Sequence, residues 1–343
     1  MKSSKLFYLC MKKNFSMIQK NRILILFAFA VIASLYACEK EITVDLPAAV
    51  PKIVVEGNIE QGQAPLVLIS KSSSFFAPTD LNSIQNLYRS DAVVTLSNGT
   101  IEEELIAICS ADIPEELLPL VTEITGFTAE QLSQVNICAY TSFNPQMRGE
   151  LDKSYTLKVE LDADVATAVT KINKLVPLDS LWFRVSGNTD SLGFLYAVIS
   201  DPDTLGNAYR WFAKRINSYP EWSDDAGEQK DQGFIAPLGS VSDDVFFNGL
   251  SFEFGFFRGT APNSGKEDDV NDERGFYKIG DTVVVKGCVI DRGVFRFVSS
   301  FEDQVASSGS PFASPANVFT NVEGGLGLWA GYGAVYDTVI CQP

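Results

Sequence analysis

The sequence predicts an all-β protein of two antiparallel β-sandwich domains, the first carrying a short helical insertion. Beyond residue 50 the chain consists mostly of short β-branched and aromatic runs bounded by turn residues, a pattern typical of sandwiches. Only one segment carries helix-start signals, and no fixed-period repeat is present. A length of 343 residues also suits two domains better than one.

Residues 1–37 are predicted to be a lipoprotein signal peptide. They hold six Lys and Arg and no acidic residue, and they end in the uncharged run ILILFAFAVIASLYA at residues 23–37. A basic start, a short apolar stretch and a small residue before the cut define such a leader. Met17 is an alternative start, because residues 17–37 already form a complete leader. A transmembrane anchor is the other reading, but it needs about 20 apolar residues.

Cys38 is the predicted lipidation site. The sequence LYAC at residues 35–38 resembles a bacterial lipobox, whose cysteine is acylated and becomes the new N-terminus; Tyr36 is bulkier than its usual occupant. Acyl chains anchor a protein through about 0.8 kcal/mol per buried methylene. Residues 38–50 form the tether, and Glu39, Lys40 and Glu41 resemble the surface-export signal of Bacteroidota lipoproteins.

The N-terminal sandwich is predicted over residues 51–173. Asn98-Gly99 between two β-branched runs predicts a hairpin, and residues 154–161 alternate apolar and polar side chains as a half-buried strand does. Residues 112–134 are the helical insertion: Asp112 and Pro114 open one helix, and Thr128 with Gln131 opens a second by a capping box.

The C-terminal sandwich is predicted over residues 177–343, after a linker near 173–177. Strands are expected at 181–185, 192–199, 208–216 and 335–340, and residues 282–290 and 293–301 are expected to form a hairpin. Residues 217–232 and 263–274 are polar and unpatterned, which predicts long surface loops.

Composition excludes several function classes. Without residues 1–37, the chain holds 21 Lys and Arg against 43 Asp and Glu, so it repels nucleic acid and anionic membrane surfaces. The chain contains no histidine, which excludes Ser-His-Asp and Cys-His catalysis and nearly every catalytic zinc or iron site. Paired carboxylates, Lys or Tyr chemistry and oxygen-ligated calcium remain. No cofactor and no metal is expected.

Four cysteines besides Cys10 and Cys38 allow three disulfide connectivities. The preferred pairs are Cys109–Cys138 and Cys288–Cys341, because each pair lies within one predicted domain. Free buried thiols are the alternative.

The mature chain resembles the Bacteroidota lipoproteins grouped as the DUF4249 family. The resemblance covers nearly all of it and rests on five segments: PKIVVEG at 51–57, IPEELL at 113–118, NICAY at 136–140, DPD at 201–203 and, most specifically, PFASPANVFTNVEGGLG at 311–327. It implies no catalytic residue. What it implies is a setting, since such lipoproteins are typically encoded beside TonB-dependent outer-membrane transporters.

Candidate sites are few. The Gly-rich run at 321–333 lacks the Lys-Ser/Thr of a phosphate loop and predicts a bend or a bulged strand in which glycines allow close backbone approach. Trp329 and Tyr332 within it are either core residues or an aromatic surface for a partner or ligand. Residues 201–206 resemble the start of a calcium loop without the rest, and Asp243-Asp244 is a loop pair with no identified partner. The acidic group at residues 267–273 lacks calcium-loop spacing.

The expected function is therefore non-enzymatic. The chain is expected at the cell surface, lipid-anchored in the outer membrane, as an accessory or binding subunit associated with a TonB-dependent transporter. The alternative is a stand-alone glycan-binding or adhesive lipoprotein, and a carboxylate-based hydrolase is a third possibility.

Overall fold

The computed structural model describes residues 50–73, 87–113, 132, 134, 136–222, 226–260, 275–307 and 317–343. The predicted signal peptide, Cys38 and the tether up to residue 49 lie outside these residues. The same holds for residues 114–131 of the predicted helical insertion and for the acidic group at 267–273.

The described residues confirm the all-β, sandwich-like class. They contain one α-helix, α1 (Arg292–Ser307), and 17 strands. The strands are β1 (Ile53–Glu60), β2 (Leu66–Lys71), β3 (Val93–Ser97), β4 (Glu102–Glu104), β5 (Ile106–Cys109), β6 (Cys138–Thr141), β7 (Ser154–Leu161), β8 (Asp164–Lys171), β9 (Leu178–Val185), β10 (Leu192–Ser200), β11 (Ala208–Arg215), β12 (Val241–Asp243), β13 (Ser251–Phe256), β14 (Tyr277–Lys278), β15 (Thr282–Ile290), β16 (Val322–Glu323) and β17 (Leu326–Ile340).

Three sheets are formed by these strands. An eight-stranded sheet has the order β12-β11-β15-β17-β1-β2-β6-β5, and a five-stranded sheet has the order β16-β8-β7-β3-β4. A four-stranded sheet joins β9, β13 and β14 to β10. The neighbouring strands are antiparallel, except that β1 runs parallel to β17.

The eight-stranded sheet carries two cores side by side on one face. Ile53, Val55 and Trp329 on this face pack against the five-stranded sheet, whereas Val283 and Val285 pack against the four-stranded sheet. Alternation along β17 puts Trp329 and Val339, which pairs with Val283, on the same face. The two sandwiches therefore share one sheet.

This sharing differs from the picture of two separate sandwiches. β1 belongs to the predicted N-terminal domain and β17 to the predicted C-terminal one, yet they pair over seven positions from Val54–Leu326 to Glu60–Tyr332. Residues Ala49–Pro343 form one compact unit. The local strand signals were sufficient to predict the strands, but the parallel pairing of strands more than 260 residues apart has no local signal.

The Gly-rich run is a strand with close backbone approach, as the sequence predicts. A Cβ atom on Gly331 would lie 2.7 Å from the Lys171 carbonyl oxygen, and one on Gly333 would collide with the Asn173 carbonyl. The chain that leaves β8 towards β9 thus crosses β17 in direct backbone contact. Glycine at these two positions allows the first sandwich to connect to the second across the shared sheet.

The hairpin at Asn98-Gly99 is confirmed, with β3 and β4 as its strands and Gly99 at φ +84°. The hairpin predicted from residues 282–290 and 293–301 is wrong, because the second half belongs to α1. Asp291 caps this helix: its Oδ1 accepts the N–H of Val294 at 2.9 Å. Val294 and Val298 are buried four residues apart, a helical spacing hidden by the β-branched and aromatic composition.

One of the two predicted disulfides is present. Cys109 and Cys138 face each other across β5 and β6 and are bonded. Cys288 and Cys341 are buried and unbonded, so that pairing is wrong. Cys288 pairs with Ala334, which places it near the opposite end of the β15–β17 ladder from Cys341, about 20 Å away at 3.3 Å per residue. A disulfide needs Cα atoms within about 7 Å.

Trp329 and Tyr332 are core residues and not an exposed surface. Trp329 is fully buried, and its indole N–H donates to the Tyr155 carbonyl at 3.1 Å. Tyr332 is buried as well, and its hydroxyl accepts from Arg210 at 2.7 Å. The core alternative for both residues therefore holds.

Because Trp329 fills the first core from the shared sheet, we expect Trp329→Ala to lower the free energy of unfolding by about 3–5 kcal/mol. Trp222, which is 78% exposed, provides the control, and Trp222→Ala should stay within about 0.5 kcal/mol of the wild type. Urea unfolding followed by circular dichroism measures both. Equal losses in the two variants would contradict this role for Trp329.

Candidate functional site

Two loops of equal length lie side by side at one end of the second sandwich. The first loop, residues 201–207, connects β10 to β11, and the second loop, residues 244–250, connects β12 to β13. β10 pairs with β13 up to Ser200–Ser251, and β11 pairs with β12 up to Ala208–Asp243. Each loop therefore passes between the four-stranded and the eight-stranded sheet, and strand ladders fix both of its ends. We call the two together the paired loops.

The paired loops bond each other reciprocally through their backbones. The N–H of Asp201 donates to the Leu250 carbonyl at 3.0 Å, and the N–H of Asp244 donates to the Asn207 carbonyl at 3.2 Å. In both cases the first residue of one loop bonds the seventh residue of the other. The loops are therefore a mutually braced structure and not two independent turns.

The two aspartate side chains repeat this reciprocity. Asp201 Oδ2 accepts the N–H of Gly249 at 3.0 Å, and Asp244 Oδ2 accepts the N–H groups of Gly206 and Asn207 at 2.7 and 2.8 Å. Gly206 and Gly249, the sixth residue of each loop, have φ values of +116° and +70°. Glycine adopts this left-handed region without strain, which turns its N–H towards the opposite carboxylate.

Both carboxylates are buried, Asp201 at 5% exposure and Asp244 at 0%. The Tyr209 hydroxyl donates a short hydrogen bond to Asp201 Oδ1. Burial, the bond to Asp201 and the charges of Asp201 and Asp244 raise the pKa of Tyr209. The negative charges of both carboxylates therefore act on the Tyr209 hydroxyl.

Two oxygen atoms in this cluster have no hydrogen-bond partner among the described residues. They are Asp244 Oδ1 and Asn248 Oδ1, and both atoms are buried. The N–H of Asn248 donates to the Asp244 carbonyl at 2.9 Å, so the two residues lie one helical turn apart. Buried acceptors are almost always satisfied in folded proteins, which marks this position as a binding site for something that is positively charged or donates hydrogen bonds.

The paired loops also expose large apolar side chains. Phe246 is 92% exposed and Leu205 is 70% exposed, and Val245 and Leu250 of the second loop are exposed as well. Phe247 points inward instead, with its ring centroid 3.8 Å from that of Phe252. We call Leu205, Val245, Phe246 and Leu250 the apolar tip. Exposed apolar groups contributed by two braced loops are typical of an interaction surface.

A second exposed surface lies on the outer face of the four-stranded sheet. Trp182 of β9 and Tyr196 of β10 are directly paired, with ring centroids 5.9 Å apart and planes 18° apart. Arg184 lies over the Tyr196 ring at 4.3 Å, and Arg184 also bonds Glu253 at 3.4 Å. We call this group the outer aromatic face. Flat rings beside polar groups suit a sugar or a peptide.

Comparison with known families identifies the chain. A family model described as a domain of unknown function (DUF4249) matches residues 39–336. The chain belongs to the DUF4249 family. Neither a curated protein nor a solved structure matches it. The DUF4249 match includes both paired loops and the outer aromatic face, but its description names no activity.

Within the described residues of this DUF4249 chain, no group of three or more His, Cys, Asp and Glu side chains is arranged to hold a metal ion. A search of the same residues for a helix with the length and hydropathy of a membrane span finds none.

Lys286 occupies a separate polar cluster on the helix-covered face of the shared sheet. It forms an ion pair with Glu60, and Tyr336 donates to the same carboxylate. Burial acts to lower the pKa of Lys286, but its neighbours Cys288 and Glu60 raise it more strongly, so the net shift is upward. Lys286 therefore stays protonated and is unsuited to amine nucleophile chemistry at neutral pH.

None of the site residues predicted from the sequence lies in the paired loops. The disulfide cysteines and the two aromatic residues are internal, and Cys38 lies outside the described residues. The sequence places Asp201 and Asp244 in loops but does not indicate that the two residues belong together. The signal that could have linked them is their shared spacing, since Asp-x-x-x-x-Gly occurs at 201–206 and at 244–249.

Removal of the Tyr209 hydroxyl should weaken the paired loops. Tyr209→Phe removes the hydroxyl that donates to Asp201 Oδ1, and we expect a loss of about 1–3 kcal/mol in the free energy of unfolding at pH 7. Because burial raises the Tyr209 pKa above its ordinary value, the folded state favours the neutral phenol, and stability from this group falls as the pH rises above about 10. The variant should therefore lose less stability than the wild type between about pH 9 and 11.

Tyr196→Phe is the matched control, since the Tyr196 ring is only partly buried. We expect it to remain within about 0.5 kcal/mol of the wild type. Urea titrations at several pH values measure all three proteins. A Tyr209→Phe protein as stable as Tyr196→Phe would show that the bond to Asp201 adds nothing.

Proposed function

We propose that this chain is a lipid-anchored outer-membrane protein, exposed at the cell surface, that serves as a non-enzymatic accessory or binding subunit of a TonB-dependent transporter. The apolar tip is the observation that carries the proposal. Phe246, at 92% exposure, is a large apolar side chain held outward by loops braced at both ends. Such a residue is a suitable central contact for a protein partner, because aromatic anchors dominate interface energies.

The charge of the molecule is consistent with this role. The chain without its leader has 43 acidic and 21 basic residues, so contact with anionic lipid headgroups is disfavoured. The four side chains of the apolar tip carry no charge, which gives this acidic protein a local surface that a partner barrel or its extracellular loops can cover without desolvating a carboxylate.

A stand-alone glycan-binding or adhesive lipoprotein is the second candidate. The outer aromatic face favours it, because Trp182 and Tyr196 present stacked, partly exposed rings and Arg184 with Glu253 supplies polar groups beside them. The outer aromatic face would then be the aromatic ligand surface that the sequence analysis considers for Trp329 and Tyr332.

The lipid anchor is tested at Cys38. Cys38→Ala should abolish incorporation of an alkyne-labelled fatty acid and leave an uncleaved precursor, because the lipobox cysteine is the acylation site. Cys10→Ala is the control, and it should be processed and labelled as the wild type is. Mass spectrometry of the mature N-terminus reads the result. A Cys38→Ala protein that is still cleaved and labelled would contradict the lipoprotein assignment.

The transporter role is tested by purifying the tagged native protein from outer membranes in mild detergent. We expect a TonB-dependent barrel to be recovered in stoichiometric amount. The double variant Leu205→Asp with Phe246→Asp should reduce that recovery at least tenfold, a loss of about 1.4 kcal/mol or more, because charge at the apolar tip must be desolvated on docking.

Phe143→Asp is the matched control, because Phe143 is 72% exposed and lies in the first sandwich. It should leave recovery unchanged. A lipoprotein recovered alone, even after crosslinking, would refute the transporter role and favour glycan binding, which Trp182→Ala on a glycan array would then examine. Equal recovery with both Asp variants would place the contact away from the apolar tip.

A further inference from the structure

The buried acidic side chains of this protein fall into two groups, which differ in whether their partners are positively charged or neutral. Asp231 pairs with Arg215 at 2.8 Å, Asp281 pairs with Lys230 at 2.7 Å, and Glu60 pairs with Lys286. Asp201 and Asp244 are equally buried, yet within the described residues all their hydrogen-bond donors are neutral amide or hydroxyl groups.

An ionised carboxylate is strongly disfavoured inside a protein unless a positive charge accompanies it. The paired loops bury two carboxylates whose described partners are all neutral. No positive charge is present among those described partners, whereas each of the three other buried acids is paired with one.

The unpartnered oxygens indicate where that charge would lie. Asp244 Oδ1 and Asn248 Oδ1 are both acceptors, both are buried, and neither receives a hydrogen bond from any residue that the structure describes. Residues one helical turn apart present their side chains on the same side. A water molecule could donate to both oxygens, but it would leave the two carboxylates uncompensated. A cation satisfies the oxygens and the charge together.

The available ligands select the type of cation. Asp244 offers a carboxylate oxygen and Asn248 an amide oxygen. Asp203 offers a second carboxylate at the exposed rim, where its Oδ1 receives the Asn248 side-chain N–H at 3.4 Å. Oxygen ligands suit hard cations, and calcium tolerates an irregular set of about 6–8 oxygens that includes water, whereas magnesium requires a regular octahedron.

We propose that the paired loops bind one calcium ion, with Asp244 Oδ1 and Asn248 Oδ1 as protein ligands, Asp203 at the rim and water completing the shell. The first loop has the sequence of a calcium loop that stops early, and the second loop supplies the missing ligands from a different part of the chain. The assignment of this site does not rest on the proposed transporter role, because it is based on charges and acceptors of the loops themselves.

The experiment uses the mature, lipidated protein in detergent after chelator treatment and desalting. Titration calorimetry with calcium chloride should show one ion bound per chain, with a Kd of about 10⁻⁴ to 10⁻³ M, the range of extracellular modules. Magnesium should bind at least tenfold more weakly. Calcium should also raise the Tm, since a ligand that binds only the folded state stabilises it.

Terbium provides a reading local to the site. Tyr209 donates to Asp201 and lies close to both carboxylates, so excitation of tyrosine should sensitise bound terbium, and calcium should reverse the emission. Tyr209→Phe should lower this emission several-fold.

Asp244→Asn tests the central ligand, and Asp243→Asn is its matched control. Asp243 is the adjacent residue, and its carboxylate bonds Arg292 at 2.9 Å on the other side of the chain. We expect Asp244→Asn to weaken calcium binding at least tenfold and Asp243→Asn to leave it unchanged. Should Asp244→Asn fail to fold, Asn248→Ala removes the amide ligand from a half-buried turn and should weaken binding in the same direction.

A wild-type protein without saturable calcium binding and without a calcium-dependent Tm would overturn the proposal and leave water as the occupant of the pocket. Equal weakening by Asp243→Asn and Asp244→Asn would overturn it too, because only general negative charge would then matter. Both outcomes are compatible with co-purification of a transporter, so the two proposals fail separately.

Discussion

The parallel pairing of β1 with β17 is the interaction on which the remainder of the fold depends. The first half of β17 pairs with β1 and its second half pairs with β15, so one strand of fifteen residues joins the beginning of the described chain to its end. Trp329, on the face of β17 that carries the cores, fills the first core. Val339 on the same face packs into the second. Neither sandwich could be complete without this strand.

The shared sheet constrains the course of the loops at its edge. The four-stranded sheet packs on the β11–β15 side of the shared face, and the chain must pass between the two sheets at the ends of their strands. Two such passages occur next to each other, from β10 to β11 and from β12 to β13. Because both ends of each passage are fixed by ladders, their seven-residue length leaves little freedom, and reciprocal bonds between Asp and Gly become possible.

The strands could be predicted from the sequence because their signals are local. Asn98-Gly99 predicts its hairpin from turn chemistry alone, and alternation in β7 predicts one buried face. The strand predicted at residues 293–301 is wrong because Val and Phe favour strands, although Asp291 as a cap and the spacing of Val294 and Val298 indicate a helix. Composition outweighed periodicity in that segment.

Long-range features could not be predicted in the same way. Cys288 and Cys341 lie in one predicted domain, but their distance depends on the β15–β17 register, which a single sequence does not give. The candidate site illustrates the same limit. Asp201 and Asp244 are separated by more than 40 residues, and only the pairing of β10 with β13 and of β11 with β12 brings them together. The Asp-x-x-x-x-Gly spacing is repeated in the sequence, but without knowledge of the strand pairing it does not indicate that the two loops meet.

The proposed calcium ion and the proposed docking surface concern opposite sides of the same two loops. Asp244 lies inside, whereas Val245 and Phe246, the next two residues, are exposed. A calcium ion that neutralises the Asp244 carboxylate would hold the backbone of residues 244–248 in one conformation, and Phe246 would then be presented in one orientation. Rigid presentation reduces the entropy lost on docking. Occupancy of the inner site would thus strengthen binding at the outer one without any contact between ion and partner, a coupling that requires only that both share the same turn.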